Sequence, residues 1–182
     1  FFDKRLSEKL PVFFFDLVSN SECTSENLVD FAVMGSTYYQ VLYPEIDCKV
    51  SLLNIGSEEL KGNSLIQETH ELLKKDNRFK YEGFIEANNI IDTENHVIVT
   101  DGFSGNIALN TAEGGSKFIT DALKKSLTSS FYSKILSLML KNKFIEFRNS
   151  IDPRNYNGGI FLGVNGIVIK SHGNADSHAF AN

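Results

Sequence analysis

The sequence predicts an α/β protein whose sheet is mostly parallel, and three features of the chain support this fold class. Short apolar runs of strand length recur along it, and some of them end in an acidic residue. After most of these runs comes a longer segment in which apolar residues recur at helical spacing. Glycine-containing turns separate strand from helix at several places. Strands that alternate with helices favour a parallel sheet covered on both faces.

Two strand–helix units are predicted in the first part of the chain. Residues 12–16 form an apolar run that ends in an acid, which is typical of a buried parallel strand. The helix that follows has Ser25 as its expected N-cap and ends before Pro44. The second unit joins a strand over residues 50–55 to a helix over residues 65–73.

Further units are predicted along the rest of the chain. Residues 81–86 form a weaker strand, and residues 96–101 form a buried strand that again ends in an acid. A long helix then continues through Lys125. The last unit has an apolar strand over residues 161–170, interrupted by glycines, and a final helix after it.

The composition fits one globular domain over residues 1–182, with 42% hydrophobic and 23% charged residues. Neither end resembles a natural terminus, so we expect a fragment of a longer protein. The spacing of Cys23 and Cys48 fits neither a metal knuckle nor a redox pair, and nothing resembles a signal peptide, which predicts a cytoplasmic location. A net charge of −5 argues against nucleic acid as a partner.

Three glycine-containing turns form the candidate functional site. They are Lys61-Gly62-Asn63, Asp101-Gly102-Phe103-Ser104-Gly105-Asn106 and Lys170-Ser171-His172-Gly173. Each turn follows a predicted strand, and ligands of open α/β sheets bind beyond the carboxyl ends of strands. The three turns are therefore expected to share one edge of the sheet.

The composition of these turns suits an anion such as phosphate. Gly62 and Gly105 allow close approach of the backbone, and Asn63 and Asn106 are expected to cap the helices that follow. The amides left free at a helix N-terminus attract anions, and a lysine adds a full charge to the first and third turns. Glycine–asparagine sequences are also common in turns that bind no ligand.

Familiar catalytic motifs are absent from the sequence. There is no Walker A sequence, no Gly-x-Gly-x-x-Gly and no Gly-x-Ser-x-Gly. A metal ion could be bound by His172, Asp176 and His178. Three such residues beside a glycine turn more often form hydrogen bonds within the loop. We therefore predict neither a metal nor a cofactor.

Taken in order, the turns resemble the C-terminal half of the PlsX-type phosphate acyltransferases. Other matching segments are Phe31-Ala32-Val33-Met34-Gly35-Ser36, Leu52-Leu53-Asn54-Ile55-Gly56, Gly158-Gly159 and Val164-Asn165-Gly166-Ile167-Val168-Ile169. The match covers nearly the whole chain. It departs from the family pattern at Asp16-Leu17-Val18-Ser19-Asn20, and at Asn174-Ala175, where the family commonly has two serines.

The resemblance implies both a fold and an activity. The fold would be Rossmann-like, a three-layer α/β/α arrangement similar to the isocitrate and isopropylmalate dehydrogenases and to phosphotransacetylases. The activity would be transfer of a fatty acyl chain from acyl carrier protein to inorganic phosphate, giving acyl phosphate for bacterial phospholipid synthesis. A homodimer that associates peripherally with the membrane is also implied.

Phosphate is itself a nucleophile near neutral pH, so such an enzyme can act by positioning and charge stabilisation. Lys61 and the amides of its turn are expected to hold phosphate, and Asn106 to stabilise the oxyanion. Asp101 and His172 are candidates to orient groups or to protonate the leaving thiolate. The predicted substrate-binding residues are Gly62, Asn63, Gly102, Gly105, Lys170 and Gly173.

Residues 126–151 are predicted to form a protruding amphipathic helical segment. Its large apolar residues cover more of the helix circumference than packing against a single neighbour would bury. They are Phe131, Tyr132, Ile135, Leu136, Leu138, Met139 and Leu140. Lys134 and Lys141 interrupt the run, so it is too short to span a bilayer. A dimer interface, an anionic membrane surface and an acidic carrier protein would each suit it.

Two other functions stay open at this point. The chain could be a non-catalytic module that binds lipid or carrier protein, in which residues 126–151 are the functional part. It could also be an NAD-dependent dehydrogenase of related fold, although the dinucleotide fingerprint is missing.

Overall fold

The structure is a computed structural model that describes residues 11–17, 19–151 and 159–170. Contacts group the described residues into two compact units, one that ends at Leu109 and one that begins at Asn110. The single domain expected over residues 1–182 stays a prediction.

The first unit contains a four-stranded parallel sheet. Its strands are β1 (Phe13–Phe15), β2 (Lys49–Asn54), β3 (Lys80–Glu86) and β4 (Val97–Val99). Their order across the sheet is β1-β4-β2-β3, and every neighbouring pair is parallel. The carboxyl ends of β1, β4 and β2 therefore lie side by side on one edge. This sheet confirms the predicted α/β class and the mostly parallel pairing, while the closer dehydrogenase-like assignment stays a prediction.

Helices α1 (Ser25–Leu42) and α2 (Ser64–Leu73) contact each other and pack on one face of the sheet. Side chains of a strand alternate between the two faces. The face toward the helices accordingly holds a continuous core that includes Phe13, Leu28, Ala32, Tyr39, Val50, Leu52, Leu73, Val97 and Val99. The opposite face buries Val12, Ile85 and Ile98, with Ile90 from the 3₁₀ helix Ala87–Asp92 packed against them.

The N-cap of α1 is Thr24, so the prediction of Ser25 was wrong by one residue. The Thr24 hydroxyl accepts the backbone N–H of Asn27 at 3.3 Å, and the Asn27 side chain accepts the Thr24 N–H at 3.0 Å. This reciprocal capping box needs a polar residue three positions after the cap. Asn27 provides it for Thr24, whereas Leu28 stands in that place relative to Ser25.

The second unit consists of helices and one hairpin. Most of α3 (Gly102–Leu127) belongs to it, followed by α4 (Phe131–Met139) and α5 (Lys141–Ile151). The predicted helical segment over residues 126–151 is thus helical but interrupted at residues 128–130 and at Leu140. Nothing in the described ranges forms a helix with the length and apolar character needed to cross a membrane.

Residues 159–170 form an antiparallel hairpin of β5 (Gly159–Phe161) and β6 (Val168–Lys170). The single strand expected over residues 161–170 was wrong. Gly163 has a φ of 79° in the turn, a conformation that glycine adopts readily, and the chain reverses there. Lys170 ends a strand as predicted, but that strand belongs to a two-stranded sheet rather than to the parallel one.

Candidate functional site

The turn Lys61-Gly62-Asn63 lies between β2 and α2 and leads directly into the helix. Asn63 is the N-cap of α2, and its side chain accepts the N–H of Ile66 at 3.0 Å, which confirms its predicted capping role. Gly62 has a φ of 98°, and a Cβ there would lie 2.6 Å from Oδ1 of Asn54. Only glycine fits this position without displacing its neighbours.

The main chain of Lys61 is fixed while its ammonium remains accessible. The Lys61 N–H donates to the Glu58 carbonyl at 3.0 Å, and the Lys61 carbonyl accepts hydrogen bonds from the side-chain amides of Asn54 and Gln67. The half-exposed Lys61 Nζ is 3.9 Å from Oε1 of Glu58. A surface contact of this length leaves the charge able to meet an anion.

Several backbone amides at this turn are available to a ligand. The N–H groups of Gly62, Ser64 and Leu65 have no acceptor among the residues that the structure describes. Free amides at the start of a helix, with the positive end of its dipole, favour a bound anion.

The second turn begins α3, and its geometry differs from the predicted one. Oδ1 of Asp101 accepts the N–H of Ser104 at 2.8 Å, and the Asp101 carbonyl accepts the N–H of Gly105 at 2.9 Å. Asp101 therefore caps this helix, and the prediction that Asn106 caps it was wrong. Asn106 lies one turn inside α3 because the helix already starts at Gly102. Its half-buried side-chain amide has no hydrogen-bond partner among the described residues.

The loop after β1 packs directly on the start of α3. The Asp16 carboxylate accepts hydrogen bonds from the Ser19 N–H at 2.8 Å, the Asn20 N–H at 2.6 Å and the Asn20 side-chain amide at 2.8 Å. The Asn20 carbonyl in turn accepts the Gly102 N–H at 2.8 Å. A Cβ on Gly102 would lie 2.8 Å from that carbonyl oxygen, and one on Gly105 would overlap the Asp16 carbonyl. Both glycines are thus needed for this contact between loop and helix.

Cys23 lies beside this contact but is not suited to act as a nucleophile. Its Sγ is 3.4 Å from the Asn20 carbonyl oxygen. Burial raises the pKa of the thiol, a hydrogen bond from the Gly102 backbone lowers it in part, and the carboxylates of Asp16 and Asp101 raise it further. The thiolate, which is the reactive form, is therefore disfavoured at neutral pH.

The structure brings two of the three predicted turns to one edge of one sheet. Residues 61–63 and 101–106 follow the neighbouring strands β2 and β4. Lys170 ends β6, which pairs with β5 in the hairpin of the other unit, so the expectation that the third turn shares this edge stays a prediction. His172 and Gly173 lie outside the described residues, as do Asp176 and His178. Within the described part of the chain, no three metal-ligating side chains are gathered.

Two residues that the sequence analysis did not select, Asn54 and Gln67, hold the first turn in place. Asn54 is buried at the carboxyl end of β2, directly after Leu52 and Leu53. A buried amide needs hydrogen-bond partners. That rule would have drawn attention to Asn54 from the sequence, whereas Gln67 on a polar helix face carries no such signal.

Comparison with known proteins identifies the family. Residues 7–182 match the family model described as fatty acid synthesis protein. The chain belongs to this family. The match extends beyond both of the turns at the sheet edge and includes the hairpin with Lys170.

Three curated relatives in this family are named phosphate acyltransferase. The protein of Pelagibacter ubique strain HTCC1062 is 49% identical over 169 residues, which is 92% of this chain and 51% of the relative. That of Shewanella sediminis strain HAW-EB3 is 41% identical over 172 residues, 94% of this chain and 50% of the relative. The protein of Maricaulis maris strain MCS10 is 44% identical over 168 residues, which is 91% of this chain and 48% of the relative. These matches confirm the resemblance to phosphate acyltransferases, and the chain spans about half the length of these relatives.

Proposed function

We propose that this chain is part of an acyltransferase that moves a fatty acyl chain from acyl carrier protein to inorganic phosphate and releases acyl phosphate. The observation that carries this proposal is the similarity to relatives named phosphate acyltransferase, 41–49% identical over more than nine-tenths of the chain. The proposed role is a step in fatty acid and phospholipid synthesis.

The first step of the proposed reaction is the binding of phosphate at the start of α2. The Lys61 ammonium and the free N–H groups of Gly62, Ser64 and Leu65 offer one positive charge and three donors. Asn63 caps α2 by accepting the Ile66 N–H, so its side chain pairs a different amide from these three. Charge-assisted hydrogen bonds of this kind are about twice as strong as neutral ones.

In the second step a phosphate oxygen attacks the thioester carbonyl carbon, and the carbonyl oxygen becomes an oxyanion. The side-chain amide of Asn106, without a partner among the described residues, is the proposed donor to it. Preorganised donors of this kind commonly supply a large part of the rate enhancement. Gly102 and Gly105 serve the step indirectly, because they let the first turn of α3 lie against the loop after β1.

In the third step the carbon–sulfur bond breaks, and the thiolate of the carrier's prosthetic group takes up a proton. Asp101 and His172 are the proposed residues for orienting groups or delivering that proton. Lys170 and Gly173 are also proposed to bind substrate. No cofactor takes part in this scheme.

The apolar residues of α4 support a second part of the proposal, peripheral contact with an anionic membrane by a cytoplasmic homodimer. Leu138 is 75% exposed and Met139 79% exposed, and exposed Lys141 comes two residues after Met139. Exposed apolar side chains beside cations suit an anionic lipid surface. A dimer interface and an acidic carrier protein are the competing partners for this surface.

A thiol-release assay on the whole protein tests the proposed reaction. Acyl carrier protein loaded with a fatty acid should release free thiol only when inorganic phosphate is present. A Lys61→Ala variant should raise the KM for phosphate at least about tenfold or abolish turnover, because it removes a charge-assisted contact. Lys75→Ala, which removes an exposed lysine at the far end of α2, is the matched control.

The outcomes separate the function from the residue assignment. Wild-type protein that releases no thiol with phosphate would overturn the proposed function and favour a non-catalytic binding module. Normal release with an unchanged phosphate KM in Lys61→Ala would overturn only the assignment of Lys61.

A further inference from the structure

We propose that Asn54 is a positioning residue, which fixes the peptide between Lys61 and Gly62 and thereby aims the Gly62 N–H at bound phosphate. This inference rests on the proposed function of the same turn. Asn54 does not touch the substrate in this scheme and acts through the backbone of the loop.

Both ends of the Asn54 side chain are engaged, and the residue is only 7% exposed. Its Nδ2 donates to the Lys61 carbonyl at 3.0 Å, and its Oδ1 accepts the Ile55 N–H at 2.8 Å. One side chain at the end of β2 thus ties together the two ends of the loop over residues 55–61.

The Lys61 carbonyl is held from a second direction by α2. Nε2 of Gln67 donates to this carbonyl and also to the Glu59 carbonyl at 3.0 Å. The carbonyl therefore accepts one hydrogen bond from the sheet and one from the helix. A carbonyl with both lone pairs occupied has little freedom to rotate.

Fixing this carbonyl also fixes the amide of Gly62. The C=O and N–H of one trans peptide unit point in opposite directions because the unit is planar. The Gly62 N–H accordingly points away from Asn54 and Gln67, and it has no acceptor among the described residues. The φ of 98° at Gly62 and the 2.6 Å from its would-be Cβ to Asn54 Oδ1 leave no room for a side chain.

The chemistry of this position requires an amide. Asparagine offers a donor and an acceptor on one short side chain, whereas aspartate offers only acceptors, which would face the Lys61 carbonyl unfavourably. An apolar residue would leave both the Ile55 N–H and one lone pair of the Lys61 carbonyl without their partner.

Steady-state kinetics of the whole protein test this inference with Asn54→Ala and Gln67→Met. The measured quantities are kcat, the KM for inorganic phosphate and the KM for the acyl-loaded carrier protein. We expect Asn54→Ala to raise the phosphate KM about tenfold, with the KM for the carrier changed less than about twofold, since one buried hydrogen-bond network is lost. Gln67→Met should raise the phosphate KM about threefold, because one donor to the carbonyl remains.

Ser51→Ala is the matched control for Asn54→Ala. Ser51 is a fully buried polar residue of the same strand, and its Oγ has no partner among the described residues. The control should keep both KM values at the wild-type level. Thermal unfolding of all variants records any loss of fold, and Gln67→Met on a partly exposed helix face covers the case in which Asn54→Ala does not fold.

The result that overturns the inference is a phosphate KM that stays at the wild-type level in folded Asn54→Ala, or in Gln67→Met if Asn54→Ala does not fold. An equal rise in both KM values would overturn it too, because it would indicate general damage. Wild-type protein without phosphate-dependent thiol release would instead overturn the proposed function, and the inference with it.

Discussion

Nδ1 of His70 lies 2.7 Å from the phenolic oxygen of Tyr81, and this hydrogen bond joins α2 to β3. The imidazole is 5% exposed and stacks on Phe84 with ring centroids 4.2 Å apart. Burial lowers the pKa of His70 and Lys74 lowers it further, while two nearby glutamates raise it in part. Burial raises the pKa of Tyr81. The pair is therefore neutral in the folded protein at neutral pH.

We expect the free energy of unfolding to fall as the pH is lowered through about 6.5, the ordinary pKa of histidine. Below this pH the histidine binds a proton in the unfolded chain, whereas in the folded protein the lowered pKa keeps His70 neutral. Acid therefore favours unfolding until the pH falls below the lowered pKa of folded His70. Urea denaturation between pH 7.5 and 5.5 should show a smaller decline in His70→Gln than in wild type. His96, whose pKa burial also lowers, is present in both proteins and cancels in the difference. Parallel declines would contradict the assignment to His70.

Substitutions at Asp101 separate its capping role from a role in proton transfer. Asp101→Ala should lower the free energy of unfolding by about 1 kcal/mol, because the Ser104 N–H loses its acceptor. Asp101→Asn keeps the cap, so it should be nearly as stable as wild type. If Asp101 handles a proton, thiol release by Asp101→Asn falls at least about tenfold although the protein is folded. Full activity in Asp101→Asn would leave capping as its only role.

Two glycines of α3 should respond to alanine in opposite directions. Gly105→Ala should destabilise by roughly 1–3 kcal/mol, because its Cβ would overlap the Asp16 carbonyl. Gly114→Ala should stabilise by roughly 0.5–1 kcal/mol, since it is exposed in the helix with no atom within 4 Å of the added Cβ. Denaturation curves measure both. A stable Gly105→Ala would contradict the close packing of the loop after β1 on α3.

Liposome flotation tests the proposed membrane contact of α4. Wild-type protein should float with vesicles that contain anionic lipid, and Leu138→Glu and Leu140→Glu should float much less because a carboxylate is repelled by such a surface. Val41→Glu, at an exposed apolar position of α1, is the matched control. Sedimentation should show the same oligomeric state in all proteins. Loss of a dimer without a change in flotation would assign the surface to dimer packing.

Local patterns predicted the Asn63 cap and the strands that alternate with helices, because these features depend on residues close in sequence. The alternation in turn favours a parallel sheet. Asn63 follows a glycine and precedes an amphipathic helix, and it caps as expected. The same pattern at Asn106 was misleading, because Asp101 supplies an earlier cap and the intervening glycines enter the helix. Both side chains are able to cap a helix, and the hydrogen bond from the Ser104 N–H to Asp101 Oδ1 shows that the helix starts after Asp101.

The hairpin that contains Lys170 could not be predicted for a different reason. Apolar residues in residues 161–170 fit a strand, but the choice of pairing partner depends on long-range contacts that periodicity does not encode. Gly163 and Gly166 also fit interruptions of one continuous strand, whereas in the structure the chain turns back between β5 and β6. Similarly, Asn54 acts on Lys61 across a loop, a relationship that only the folded chain reveals.

The strand order β1-β4-β2-β3 has a consequence for how the chain folds during synthesis. Among the described strands, β1 pairs with β4, which comes more than eighty residues later in the chain. A nascent chain that has not reached Val97–Val99 therefore lacks the strand that lies between β1 and β2, and the edge of β2 that pairs with β4 is not yet covered by it. Exposed strand edges of this kind associate with other chains, and such long-range pairing slows folding. β4 must be synthesised before β1 and β2 can be joined through it, so we expect these three strands to come together only after residues 97–99 have left the ribosome.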